Sequence, residues 1–396
     1  MAILASSCAF IRLKEDLNNM AAHRGVHGAI SATKHPSEPI ILIAYDEKQK
    51  PVAFKKVAPN TDYYLFNLPK NRNFTIAAFE DKNENSKYDK GEPALIAETS
   101  GGNSPSETLN IHLSPKNAIP ATLKTNIDEM PDDIGEKNTI AIGTITTLDN
   151  PLFDEKHASE GLWTPHQFLS KYGLGVYFLE TYDPAKTPIL FVYGIKGFPR
   201  AWKTFIDKID HSKFQAWIYF YPTGYSIPSS GKALDIVMSQ IQDKFKLKKL
   251  FIVAHSMGGL VAKEYIRRAI GKKNDSHIKL LITLATPWGG DKDAEWGTKA
   301  PATVPAWNDI VPSSEFIKNT SPKDIGDRIP FYLFFSFKGD RKPFRFNNDN
   351  VITLRSALRW NMERRATKVY GFDTAHADIL RFPETIETCN EIFKRY

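Results

Sequence analysis

Cysteine is almost missing from this chain. Its 396 residues contain two, Cys8 and Cys389, and no CxxC pair. With so few, there is neither a disulfide framework nor a thiolate metal site to argue for. Long apolar runs are missing as well, and none approaches the roughly 20 residues that a membrane-spanning helix requires. Charge of one sign is nowhere concentrated. Lys and Arg number 52 against 45 Asp and Glu, for a net charge of +7, and no long basic run occurs. No nucleic-acid-binding motif is found, so nucleic acid is set aside as a partner. The modest positive excess suits a lysine-rich composition and would also favour an anionic membrane surface. What is present is ordinary for a globular protein, with 42% apolar and 24% charged residues in a chain long enough for two domains. Nothing in it sets an oligomeric state.

The first residues are unusual. Met-Ala-Ile-Leu-Ala-Ser-Ser leads directly into Cys8. Small residues just before a cysteine resemble the lipobox of bacterial lipoproteins, in which that cysteine carries lipid. A full signal peptide needs a charged start and an apolar stretch of about 7–15 residues first, and neither fits before Cys8. Residues 1–20 are therefore read as a remnant of such a signal. That reading implies a cell-envelope or secreted location, with a lipid anchor on Cys8; an incidental thiol is the alternative.

Residues 21–116 carry short β signals. Segments 40–45, 63–66 and 74–79 are rich in β-branched and aromatic residues, and Leu109, Ile111 and Leu113 alternate with polar partners. Strands this short and closely spaced predict a small β-sandwich, and the pattern resembles transthyretin-like and carboxypeptidase-regulatory-like modules. Within it, Asp81, Asn83, Asn85, Asp89 and Glu92 have the oxygen-ligand spacing of an EF-hand loop. Ser86 stands where the sharp-turn glycine belongs, and a strand precedes the loop, so a solvated hairpin is the competing reading. Residues 117–137 read as a linker.

From residue 138 to 396 the pattern changes. Strands are expected at 187–193, 214–220, 249–254, 278–284 and 331–337, with helices at 201–209, 232–245 and 258–269. Leu234, Val237, Ile241 and Phe245 recur at helical spacing. Alternating strands and helices predict an α/β domain with a doubly wound, mostly parallel sheet covered on both faces.

Between one such strand and the next helix lies Ala254-His255-Ser256-Met257-Gly258-Gly259. A serine on a tight strand-to-helix turn is strained and projects its hydroxyl above the sheet. The residues two before and two after must be small, because the two backbones nearly touch there. Gly258 meets that demand, and Ala254 is the next smallest choice. The Met257 amide then opens a helix, where the macrodipole favours an oxyanion.

Two further segments accompany this elbow: Phe191-Val-Tyr-Gly-Ile-Lys-Gly-Phe-Pro199 and Leu284-Ala-Thr-Pro-Trp-Gly-Gly290. Together they resemble α/β-hydrolase lipases and esterases of bacteria, near the GPI-inositol-deacylase-like group, over about residues 148–380. The resemblance implies hydrolysis of carboxylic esters through an acyl-enzyme on Ser256. It implies Ile195 as the second backbone donor to the oxyanion beside Met257, with Tyr193 where a histidine is common. In this fold the order is serine, acid, histidine. Beyond Ser256 only His277 and His376 remain. His277 sits in a polar run and reads as solvated; His376 is taken as the base. The acid is Asp349 in preference to Asp340, with Asn350 in place of a glycine. Residues 288–330 read as a cap insertion, whose Trp288, Trp296, Trp307 and Phe316 either line an acyl pocket or pack the cap onto the sheet. No metal or organic cofactor enters this chemistry. The substrate is an ester or lipid. The same triad would serve an acyltransferase or thioesterase, and a binding protein that keeps the fold is the non-enzymatic alternative.

Overall fold

The computed structural model describes residues 7–32, 38–57, 63–104, 106–131, 134–135, 140–325, 327–338 and 347–396. Residues 1–6 and Asp340 lie outside them, and Ser7–Ala22, which includes Cys8, is a helix. Two units divide the chain: Glu15–Asn138 with Ser170–Tyr172, and Met1–Lys14 with Thr139–Leu169 and Gly173–Tyr396.

The N-terminal unit is built on strands. Pro51–Val57, Ile40–Tyr45, Thr75–Glu80 and Ala94–Glu98 form an antiparallel four-stranded sheet in that order. Tyr63–Pro69, His23–Gly28 and Ser106–Thr108 form a second sheet, and Ile30–Ala32 pairs with Ile111–Leu113. Every residue of Ile40–Tyr45 is buried, because both faces of the sheet are covered. Ile40, Leu42 and Ala44 pack with Val26, Leu65 and Ile111 between the sheets. Ile41, Ile43 and Tyr45 point the other way, onto Ile119, Leu123 and Ile127. The stretch expected to be a linker is therefore part of this unit. Its apolar residues cover the outer sheet face, and Tyr45 donates from its hydroxyl to Lys124 O at 2.7 Å. Pro, Asn and Asp in that stretch turn the chain often, but they do not free it from the sheet.

The C-terminal unit holds an eight-stranded sheet. Its strands are β1 Ile140–Ile145, β2 Leu174–Phe178, β3 Thr187–Val192, β4 Phe214–Phe220, β5 Leu250–His255, β6 Ile278–Leu284, β7 Phe331–Ser336 and β8 Lys368–Phe372. The spatial order is β1-β2-β4-β3-β5-β6-β7-β8. From β4 to β8 all pairings are parallel, whereas β2 runs antiparallel to β4 and carries β1 parallel to itself. β4 and β5 are buried at every position, as central strands covered on both faces must be. The helix Ile227–Phe245 begins earlier than its apolar spacing suggests, because the Ser226 side chain accepts from Ser229 N and a proline occupies its first turn. The expected helix at 201–209 is shorter: a 3-10 turn Pro199–Trp202 runs into Lys203–Ile206. Between β6 and β7 the chain passes through the short helices Ala294–Thr298, Pro305–Ile310 and Glu315–Asn319. No helix among the described residues is long and apolar enough to cross a membrane.

Candidate active site

The end of β5 sets the site. Ser256 has φ 54° and ψ −133°, a conformation that non-glycine residues adopt only when their surroundings impose it. The surroundings here are backbone. Ser256 N–H donates to Leu284 O at 2.9 Å, which ties the turn to the end of β6. A Cβ on Gly258 would collide with the Val192 carbonyl and lie 2.6 Å from Tyr193 O. From the opposite side, a Cβ on Gly194 would lie 2.7 Å from Ser256 Cβ and 3.0 Å from Met257 N. The end of β3 and the elbow thus meet with no room for side chains between them.

The loop after β3 is a tight turn. Gly197 N–H donates to Gly194 O at 2.9 Å, and Lys196 takes φ 55° as its third residue. Lys196 N–H donates to Thr223 Oγ1 at 3.3 Å, anchoring the turn to the chain that leaves β4. Ile195 therefore sits in a fixed loop beside Ser256. Met257 is the first residue of the helix Met257–Gly271, so its N–H has no intrahelical acceptor. Tyr193, where a histidine is common, is locked to Tyr221. Tyr193 donates from its hydroxyl to Tyr221 O at 2.9 Å and accepts from Tyr221 N at 2.8 Å, while the Tyr221 hydroxyl donates to Tyr193 O at 2.6 Å. The stacked rings brace the loop from below.

The structure brings the other two site residues to the serine. His376 follows β8, with Nε2 2.9 Å from Ser256 Oγ and Nδ1 2.8 Å from Asp349 Oδ2. Asp349 Oδ2 also accepts from Ser336 Oγ at 2.6 Å, and Oδ1 accepts from Ile352 N at 2.7 Å and Val351 N at 3.1 Å. Burial of Asp349 works to raise its pKa. Hydrogen bonds from His376, Ser336 and Ile352, together with the attraction of His376, outweigh it and hold the carboxyl below the usual range. An ionised acceptor at Nδ1 leaves the proton there, so Nε2 faces the serine with its lone pair. Asn350 has φ 77°, the left-handed turn that a glycine would otherwise supply.

One expectation changes, and open readings narrow. His277 is buried, not solvated. Its Nε2 lies 3.1 Å from the Tyr265 hydroxyl, and burial pulls its pKa down to about 4. The polar residues before it describe the loop, whereas His277 itself tucks under the helix that carries Tyr265. Trp288 and Trp307 take the packing role. Trp288 is fully buried against Phe331, and Trp307 packs edge-on to Trp163. Trp296 is 77% exposed, and Phe316 lies under the Lys263 ammonium at 4.3 Å. In the N-terminal unit the 81–92 loop closes on itself. Asp81 accepts from the Asn85 and Ser86 amides, Asp89 from the Asn83 and Asn85 side chains, and Glu92 from the Lys82 and Asp89 amides. Among the described residues, no group of three or more His, Cys, Asp or Glu is placed to hold a metal ion.

Four neighbours of the site carry no signal of their own in the sequence: Ser336, Thr223, Tyr221 and His255. Ser336 ends β7 and reaches Asp349 only through the chain's return. His255 lies inside the elbow motif. Its Nε2 is 2.9 Å from the His376 carbonyl, and burial lowers its pKa to about 3. Asp291, just past the glycines that follow Trp288, is pushed up to about 6, chiefly by burial.

Strand order, the elbow after β5, and the loop after β8 define an α/β hydrolase fold, preceded by a strand-rich unit. A family described as "Alpha/beta hydrolase of unknown function (DUF915)" matches residues 223–323. That stretch contains Ser256 and stops short of Asp349 and His376. No curated protein matches the chain. Among solved structures, the Bacillus licheniformis lipase BlEst2 in its mature form is similar at 19% identity and a TM-score of 0.42, over 54% of this chain and 94% of that one. The product of gene lin2722 from Listeria innocua is similar at 16% identity and a TM-score of 0.41, over 53% and 95%. MGS-MChE2, an alpha/beta hydrolase enzyme from the metagenome of lagoon sediments of Mar Chica, Morocco, is similar at 17% identity and a TM-score of 0.40, over 56% and 95%.

Proposed function

We propose that this chain is a serine hydrolase that cleaves carboxylic esters. The observation that carries the reading is the continuous hydrogen-bonded line from Ser256 Oγ through the His376 imidazole to Asp349. In this reading His376 takes the Ser256 proton as the oxygen attacks the ester carbonyl. The oxyanion rests on the Met257 and Ile195 amides, and each such donor contributes about 3–4 kcal/mol to the transition state. Asp349 holds the imidazole tautomer and stabilises the imidazolium without taking the proton. The alcohol leaves with the proton that His376 returns, and a water activated by His376 then releases the acid.

The test is a panel of p-nitrophenyl esters of rising acyl length, assayed with and without detergent micelles. Wild-type protein should release p-nitrophenol, and Ser256→Ala should bring the rate down to background. Folded wild-type protein that hydrolyses none of them would contradict the reading. Alcohol and thiol acceptors added to the same assay separate hydrolysis from acyl transfer, because a transferase makes a new ester in place of free acid. A lipid anchor on Cys8, and with it a cell-envelope location, belongs to the same proposal and rests on the small residues that precede it. Incorporation of labelled palmitate in cells that is lost with Cys8→Ser tests it.

A further inference from the structure

The residue before the nucleophile has a task that the ester-cleaving reading leaves unassigned. We propose that His255 is a positioning residue, whose ring N–H holds the backbone of His376 and so sets the approach of the base to Ser256. The proposal rests on the function proposed above.

The geometry is specific. His255 Nε2 lies 2.9 Å from His376 O. A carbonyl only accepts, so the ring nitrogen must be the donor, which fixes His255 as the Nε2–H tautomer. Burial drives its pKa down to about 3, opposing protonation, so the ring stays a neutral donor wherever an imidazole base can work. On its other side, His376 N–H donates to Asp349 O at 3.0 Å. The peptide units flanking the base are thus held at both ends, by the acid's own carbonyl and by the neighbour of the nucleophile. The two rings lie 4.8 Å apart, and the Trp202 ring stands edge-on at 6.5 Å from that of His255. His255 is the last residue of β5 and Ser256 is the next, so a single buried strand end carries the serine and the tie to its base. Loop length alone would not register an imidazole against a serine to within a few tenths of an ångström, and a displacement of about 1 Å costs on the order of 100-fold in rate.

The experiment is a double-mutant cycle on the fastest p-nitrophenyl ester. His255→Leu should lower kcat about 10- to 100-fold with KM little changed. His255→Gln, whose amide N–H can reach the same carbonyl, should return kcat to within about threefold of wild type. In a His376→Ala background, His255→Leu should cost nothing more, because it acts through the side chain already removed. A merely structural role would give the same loss in both backgrounds and no rescue by glutamine, and either result overturns the proposal. Nitrogen-15 histidine spectra at pH 7 decide the hydrogen bond whatever the activity. A neutral His255 protonated at Nε2 supports it, and a ring protonated at Nδ1 overturns it. Wild-type protein without esterase activity would defeat the functional reading, while the spectra still answer for His255.

Discussion

Asp349 shows how much of the site is decided one side chain at a time. It is buried, yet it accepts from Ser336, His376 and two backbone amides, so the charged form is the stable one. Asp349→Asn would present an amide that can donate to Nδ1 and favour the wrong tautomer. The expected loss in kcat is about 10³- to 10⁴-fold, measured on the best ester, whereas Asp340→Asn should leave the rate within about twofold. Equal losses from the two variants would unseat Asp349. His277 supports a prediction about acid stability. Its folded pKa is about 4, below the value near 6.5 of the free side chain. Between these values the unfolded chain holds more protons than the folded one. Its contribution is therefore intact above pH 6.5 and is lost as pH falls towards 4. His277→Gln should shrink the drop in melting temperature between pH 7 and pH 4.5, read by circular dichroism, and an unchanged drop would count against the buried neutral ring. Ser256 and His376, which the structure brings within 2.9 Å, were legible in the sequence because one lies in a local pattern and the other is the last histidine left. Asp349 came through the resemblance instead, and the favoured acid is the one the structure places on His376. His277 was misread, since its burial comes from Tyr265 on another element.

At the scale of elements, the elbow is a backbone contact between two strands and a helix. Gly258 faces carbonyl oxygens of the chain leaving β3, and those oxygens belong to backbone that cannot swing aside. Gly258→Ala should destabilise by about 1–3 kcal/mol in urea unfolding. Gly271, at the far end of the same helix, has nothing within 4 Å of the position a Cβ would take. Gly271→Ala should be neutral or slightly stabilising, and matched losses at the two positions would deny that close approach is what the elbow requires. The strands flanking the elbow were visible because they are continuous apolar runs. β1 and β2 were not, because Gly143 and Gly175 interrupt them and weaken the strand signal. Residues 117–137 read as a linker because Ile119, Leu123 and Ile127 fall four residues apart among Pro, Asn and Asp, a spacing without the alternation of a strand and without sign of the sheet face they cover.

Taken whole, the C-terminal unit gathers three distant stretches of sequence at one end of its sheet. Ser256 and His376 are separated by 120 positions, yet their side chains lie 2.9 Å apart. Strand order does this: β5 is central, and β6, β7 and β8 add outward in sequence, so the loops after β7 and β8 return beside the elbow. The alternation of strands and helices was readable in the sequence, but the pairing of β2 with β4 was not, because pairing depends on partners that no local window contains. The central claim is that Ser256 is an activated nucleophile. A fluorophosphonate probe tests it most directly, with intact-protein mass spectrometry followed by peptide mapping. The expected result is one adduct per chain on the peptide containing Ser256, absent in Ser256→Ala and strongly slowed in His376→Ala. A folded wild-type protein that takes up no probe, or takes it up elsewhere, would contradict the account.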